Sequence, residues 1–344
     1  MLKQKIMKSI RKVDLITIGR SSIDLYSQNI GSKFEEIKGF DAFVGGSPLN
    51  IAVGCSRLGL DTEILTGVGN DKVGDFILNF LKKENINIKN IPKINGSRTS
   101  AVLLGIEPPN NFPLVFYRDN AADSMININH VNRFQIERCK ILVISGTALN
   151  KEPSRSAVIH AIKIANKNNI PIIHDLDFRL DQWKNVSSFG KLTKSILPLI
   201  NIVIGTEEEI LATNIKSKNQ VKISNQQISS PKIKGNLSKQ IKNILSYGVD
   251  ALIVKKGAKG VEIYNSSSQS HKIEGFPIEV LNVLGAGDAF ASGFIYGYLK
   301  GWDLKKSCKM GNACGALVVL QPGCANFMPS LNEALEFINK HGGF

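Results

Sequence analysis

The stretch Leu281 to Tyr298, LNVLGAGDAFASGFIYGY, limits what this chain can fold into more than any other part of it. Its triplet Gly285-Ala286-Gly287 predicts a tight turn in which the backbone can come close to a ligand, because glycine tolerates conformations that a Cβ forbids. The residues that follow are apolar, with Ala289, Ala291, Ser292 and Gly293 at close spacing, and predict a helix. Free N–H groups at the start of that helix, together with the positive end of its dipole, make a place for phosphate or for charge developing on it. Asp288 falls in the first turn. Its plain reading is a helix cap. The sharper reading pairs it with the anion nest: a phosphoryl group is held there while the carboxylate takes a proton from an attacking hydroxyl.

Length and charge narrow the field. With 344 residues and 43% hydrophobic content, the chain can bury one large core or two ordinary ones. It has no apolar run of about 18 residues, so no membrane partner is expected. Its basic start, MLKQKIMKSIRKVD, lacks the apolar segment and cleavage site of a secretory signal, and a cytoplasmic location is the expectation. Cys55, Cys139, Cys308, Cys314 and Cys324 show no C-x-x-C spacing, which predicts reduced, mostly buried thiols. The five histidines have no ligand spacing. The net charge of +14 raises the question of nucleic acid, but the lysines are spread through places such as Lys82-Lys83 and Ile215 to Lys222, without an arginine block or interleaved aromatics. No nucleic-acid partner is expected, and attraction of anionic small substrates explains the charge at least as well.

Along the chain, short β-branched runs alternate with helical segments. Val13 to Gly19 predicts a buried first strand, and Asp24 stands just beyond its end, where open α/β sheets gather ligands. Gly45-Gly46-Ser47-Pro48 predicts a turn feeding an N-capped helix to about Leu58, with Asn50 in its first turn. Thr62 to Val68 is a strand and Asp71 to Glu84 a helix. Arg98 to Ile106 and Pro113 to Arg118 then alternate like a β-ribbon, which suits a flap. Arg118 ends that flap and is either a grip for a ligand carboxylate or a solvated edge residue. Strands at Ile141 to Ser145 and Pro171 to Asp175 flank a helix from Pro153 to Lys167. The acids Asp175 and Asp177 with Arg179 are either a functional constellation or a loop salt-bridge network. Glu209, in the first turn of a helix capped at Thr206, is explained by the dipole or as an indirect partner of hydrated Mg²⁺. Gly257 and Gly260 mark a turn between two strands, either a hairpin or an approach to a nucleotide. Residues 213–236 read as a surface loop. Helices near Asp303 to Leu320 and Leu331 to Lys340 complete the chain.

The order of these parts resembles the ribokinase-like, phosphofructokinase B type carbohydrate kinases over about residues 13–335. Gly45-Gly46-Ser47-Pro48-Leu49-Asn50-Ile51-Ala52 is similar to the family's amino-terminal signature, and NVLGAGDAFASGF to its carboxy-terminal one, about 240 residues later. Segments such as GRSSIDLY, GIEPPNNFPLVFYRDNAAD, SGTALNKEPSR and DLDFRLDQW are similar to a branch that acts on sugar acids. The resemblance implies a single three-layer α/β/α domain over residues 1–344, with a mostly parallel sheet and a β lid formed by about residues 20–45 and 96–120. It implies Asp288 as catalytic base and the N–H groups of Gly285, Ala286 and Gly287 as the anion hole. Asp24, Gly45, Gly46 and Asn50 would hold sugar hydroxyls, and Arg118 and Arg179 the substrate carboxylate. Gly257, Gly260, Asn312 and Gly323 would lie along ATP, and Glu209 would help position Mg²⁺. A monovalent cation such as K⁺ near Gly323 is also implied, and the free edges of the lid strands point to a homodimer through the lid.

Two positions depart from the broad family, which usually has Asp-Thr where this chain has Asn282-Val283 and Asn where it has Thr206. Other readings are a kinase for 2-keto-3-deoxygluconate or fructose, and a sugar-sensing or nucleic-acid-binding protein on a kinase scaffold.

Overall fold

A computed structural model describes residues 13–108, 111–223, 231–265, 270–322 and 324–344. Its centre is β1 (Val13–Ile18), buried at every position but Asp14. β1 pairs in parallel with β4 (Thr62–Leu65) on one side and β7 (Cys139–Ser145) on the other, Leu15 facing Thr62 and Ile141. The sheet continues in parallel through β8 (Ile172–Asp175), β9 (Ile202–Thr206) and β10 (Ala251–Lys255). Two antiparallel strands, β11 (Val261–Asn265) and β12 (Ser270–Ile273), close that edge, giving the order β12-β11-β10-β9-β8-β7-β1-β4. Near-continuous apolar strands need cover on both faces, and helices supply it. The result is a three-layer α/β/α fold.

A separate four-stranded sheet, order β3-β2-β5-β6, is built from β2 (Ser22–Ser27), β3 (Phe40–Gly45), β5 (Ser100–Leu104) and β6 (Leu114–Tyr117). Its buried side chains, among them Tyr26, Val102, Leu104, Phe112 and Leu114, form a small core of their own with Cys324. Tyr26 Oη lies 2.8 Å from Cys324 Sγ, so this lid is fastened to the loop beside the Gly285 turn.

Three helices bring the site together. α1 (Ser47–Arg57) packs against α8 (Ala286–Leu299), which in turn packs along α9 (Leu304–Val318). The small residues noted in the sequence explain the closeness. A Cβ on Gly54 would collide with the Ser292 hydroxyl, and one on Gly293 would stand 2.7 Å from the Met310 carbonyl oxygen and 2.8 Å from Cys314 Sγ. No larger side chain fits at either crossing.

Some local expectations need correction. Asp24 is not in a loop beyond β1 but inside lid strand β2. The α1 cap is Gly46, at φ 110, and Ser47 makes no capping bond. The strand from Thr62 ends at Leu65. The turn residues Pro109 and Asn110, and residues 224–230 of the expected loop, lie outside the described residues. All five cysteines are buried. Among the described residues no helix is long and apolar enough to cross a membrane.

Candidate active site

α8 starts from Gly285, whose φ of 85 lies in the left-handed region. A Cβ there would meet Cys324 Sγ at 2.9 Å, so glycine is required by conformation and by space. Asp288 is the third residue of the helix. Its Oδ2 accepts a 2.6 Å hydrogen bond from Asn50 Nδ2, and Asn50 itself sits in the first turn of α1, its N–H bonded to the Gly46 carbonyl at 2.8 Å. The starts of two helices therefore converge on one carboxylate. Burial pushes the Asp288 carboxyl above the usual carboxylate range, with the Asn50 amide working against that rise.

Beside the same helix start lies a charged cluster from the carboxyl ends of three neighbouring strands. Lys255, at the end of β10, directs its ammonium to within 3.0 Å of where a Cβ on Gly287 would stand. It pairs with Asp175 at the end of β8 at 3.4 Å and with Glu209 at 4.0 Å. Burial works against its charge, but Asp175, Glu209 and Asp288 together hold Lys255 protonated. For Asp175, burial raises the carboxyl and Lys255 opposes the rise. Asp177, at φ 34, is anchored on both oxygens: Arg179 Nη2 lies 2.8 Å from Oδ1, and the Ser145 and Thr147 hydroxyls donate to Oδ2 at 2.7 and 2.8 Å. Burial disfavours its charge, yet Arg179 and the hydroxyls bring it below the usual range.

Glu209 caps its own helix, Glu207–Ala212, forming a capping box with Thr206. Its Oε2 accepts from the Thr206 N–H at 2.7 Å and its Oε1 from Phe178 N–H at 3.2 Å. The helix-start reading of Glu209 is therefore seen directly, and the same side chain lines the cavity. Among the described residues no group of three or more His, Cys, Asp and Glu is arranged to hold a metal ion.

A cavity of ≈ 1110 Å³ runs along this cluster. Its polar lining includes Asp177, Arg179, Glu209, Lys255 and Asp288, with Gly285, Ala286 and Gly287 between them; elsewhere it is lined by apolar side chains such as Ile278, Val280, Val283 and Val319. Val280 and Val283 are each 40% exposed and give the cavity an open apolar face. Gly257, Gly260 and Asn312 line the cavity as well. Gly257 and Gly260 have φ of 59 and 81, and the Asn312 amide donates to the Glu274 carbonyl at 2.9 Å. Gly323 lies outside the described residues.

The lid residues are held closely by neighbours within the protein. Asp24 is buried, its Oδ1 accepting from Ser22 Oγ at 2.7 Å, and burial pushes its pKa up to about 6 despite the nearby Arg20. A Cβ on Gly45 would collide with that carboxyl, and one on Gly46 with the Arg20 carbonyl, so both glycines make room for neighbours. Arg118, expected to grip a ligand, is turned inward. It donates to Asp123 Oδ2 from Nε at 2.9 Å and Nη2 at 2.5 Å, and from Nη1 to the Thr147 carbonyl and Gln182 Oε1 at 3.1 and 2.7 Å. One N–H of five is left, and Arg118 is corrected from a ligand arm to a buried strut. Arg179 lines the cavity. Asn282 ties two loops, donating to the Pro322 carbonyl at 3.0 Å and accepting from Leu284 N–H at 3.0 Å.

Sequence reasoning missed Lys255. A lysine closing a β-branched strand just before a glycine turn was the available signal, but its three carboxylate neighbours come from distant segments.

The chain matches the profile of the pfkB family carbohydrate kinases over residues 12–331. It is 33% identical over 332 residues to 5-dehydro-2-deoxygluconokinase of Clostridium perfringens, covering 96% of this chain and 94% of that one. It is 34% identical over 334 residues to the Bacillus anthracis protein of the same name, covering 97% of each. Among solved structures, an Escherichia coli protein provisionally named Ribokinase II, in complex with ATP and Mg²⁺, superposes with a TM-score of 0.82 at 25% identity, covering 96% of this chain and 100% of that one.

Proposed function

Since this chain belongs to the pfkB family of carbohydrate kinases, phosphotransferases with an alcohol group as acceptor, we propose that it transfers the γ-phosphoryl of ATP to the C6 hydroxyl of 5-dehydro-2-deoxy-D-gluconate, as a step of myo-inositol catabolism. The observation that carries the chemistry is the Asn50–Asp288 pair at the start of α8, with the Lys255 ammonium alongside. The full-length similarity to proteins named for that substrate supports the specificity.

In this reading the adenine lies against the apolar wall that includes Val280 and Val283, with Gly257, Gly260 and Asn312 along the nucleotide. The triphosphate then points at the Gly285-Ala286-Gly287 turn. N–H groups at a helix start are fixed before charge develops, so they need no reorganisation when the phosphoryl group migrates. Lys255 adds a full positive charge at the same place. Asp288, ionised, accepts the proton of the sugar hydroxyl as that oxygen attacks, a contribution of ~10²–10⁴ in rate. Asn50 holds the carboxylate in position, while Asp24 and Arg179 orient the rest of the sugar, with Gly45 and Gly46 shaping the wall beside it.

The residues fit a hydrated Mg²⁺ carried on the triphosphate and not a protein cage. Asp175 and Glu209 are carboxylates near the phosphate end, but both Glu209 oxygens already accept backbone N–H groups, which favours contact through water. Bound there, Mg²⁺ would neutralise charge on the β- and γ-phosphates. The lid leaves Val115 and Tyr117 exposed, at 39% and 60%, and we include pairing of two lids in a homodimer within the same proposal.

The test is an ADP-release assay across sugars and sugar acids, with mass detection of the phosphorylated product. Preferred turnover of 5-dehydro-2-deoxy-D-gluconate is expected. Preferred turnover of 2-keto-3-deoxygluconate or fructose would replace the substrate assignment.

A further inference from the structure

One buried charge has no role in the site described so far. Arg20 joins β1 to β2 and is 7% exposed, yet among the described residues its guanidinium has no ion-pair partner. Nη1 donates to Ser22 Oγ at 2.8 Å, the guanidinium carbon sits 5.3 Å from the centre of the Phe116 ring, and Nε is buried without a partner. A guanidinium cannot shed its proton, so burying one with no carboxylate in direct contact and one N–H unpartnered is costly unless a ligand supplies the acceptor. The other arginines near the cleft are already matched, Arg118 by Asp123 and Arg179 by Asp177.

The surroundings indicate where that charge would come from. Ser22 Oγ passes the Arg20 contact on to Asp24 Oδ1 at 2.7 Å. Asp24 in turn is close enough to both Arg20 and Asp288 to feel each charge, and Asp177 also feels Arg20. A sugar acid has its terminal hydroxyl at one end and its carboxylate at the other. With the hydroxyl at Asp288 and the middle of the chain at Asp24, the carboxylate arrives on the Arg20 side.

We propose that Arg20 is the specificity-determining residue that holds the carboxylate of the acid substrate, pairing its open N–H groups with the two carboxylate oxygens. This rests on the sugar-acid reading above. Its guanidinium is fixed in place by Ser22 and Phe116, and a planar fork of donors suits a carboxylate better than any single point charge. Arg118, by contrast, spends four of its five N–H groups on Asp123, Thr147 and Gln182.

The test uses calorimetric binding of 5-dehydro-2-deoxy-D-gluconate and of its uncharged primary amide to the full-length protein. Wild type is expected to prefer the acid. Arg20→Met should weaken acid binding by about 10- to 150-fold, the range for a charge-assisted hydrogen bond, while amide binding stays the same, so that the preference disappears. Arg20→Lys, which keeps the charge and loses the fork, should weaken the acid by about 10-fold and covers the case in which the methionine variant does not fold. Acid binding within threefold of wild type in a folded variant, or equal loss for acid and amide, would overturn the assignment. A wild-type protein that ignores the acid and phosphorylates a neutral sugar would instead overturn the sugar-acid reading, and the role of Arg20 with it.

Discussion

Replacing Gly287 by alanine separates catalysis from stability at the centre of the site. Gly287 is the second residue of α8, and its new Cβ would stand 3.0 Å from Lys255 Nζ and 3.9 Å from the lysine Cδ and Cε. Only the far end of a flexible side chain has to move, by a few tenths of an ångström. Alanine is favoured over glycine in a helix by about 0.5–1 kcal/mol, so the stability change should lie between zero and a gain of about 1 kcal/mol. In a chain of this size that keeps the melting temperature within roughly 3 °C of wild type. The chemistry should respond differently. Displacing a preorganised positive group from the migrating phosphoryl is expected to lower kcat by about 10²–10³, the scale for losing one stabilising donor. Gly285→Ala provides the contrast. At φ 85 a Cβ costs about 1–2 kcal/mol, and here it also meets Cys324 Sγ at 2.9 Å and Cα at 3.2 Å, so a loss of at least about 2 kcal/mol in stability is expected. Thermal melting and coupled ADP release on the two variants measure both quantities. A stable Gly287→Ala variant with kcat within threefold of wild type would refute the role given to Lys255, and an undisturbed Gly285→Ala variant would refute the left-handed turn.

Asp24, with its pKa raised by burial to about 6, binds its proton more tightly folded than unfolded, so its ionised form weighs on stability as pH rises. Asp24→Asn should therefore raise stability by about 3 kcal/mol at pH 7.5 and by only about 1 kcal/mol at pH 4.5; an equal effect at both pH values in denaturant titrations would contradict the burial argument. Asp288 acts ionised and its carboxyl is raised, so kcat/KM should fall on the acid side with a midpoint above about 4, and a midpoint at or below that value would show an unperturbed carboxylate. Arg118→Ala leaves Asp123 buried without its partner and should cost about 3–5 kcal/mol in stability, with little change in KM for the acid substrate. A sharp rise in KM at unchanged melting temperature would restore Arg118 as a ligand contact.

The alternation of apolar runs made the parallel sheet readable, because strands covered on both faces need little polar punctuation. The Gly285 turn was equally plain: a glycine pair before an acid and an apolar helix leaves few alternatives. Partnerships were harder to read. Nothing near Arg118 in the sequence indicates that Asp123, Thr147 and Gln182 take up most of its donors, since two of those three arrive through tertiary packing. Asp24 looked like a loop residue because β1 and β2 follow each other within a few residues and belong to different sheets. The Gly45-Gly46 pair suggests a ligand contact, and nothing local in the sequence indicates that the missing Gly45 side chain also gives the Asp24 carboxyl its space. Lys255 gained meaning only when three strand ends came side by side.

The most direct measurement of the central claim is phosphotransfer by Asp288→Asn, an isosteric change that retains the contact with Asn50 and removes the base. ATP affinity should persist and sugar-dependent ADP release should drop by about 10²–10⁴ if Asp288 is the base. Undiminished sugar-dependent ATP consumption by a folded Asp288→Asn protein would contradict it.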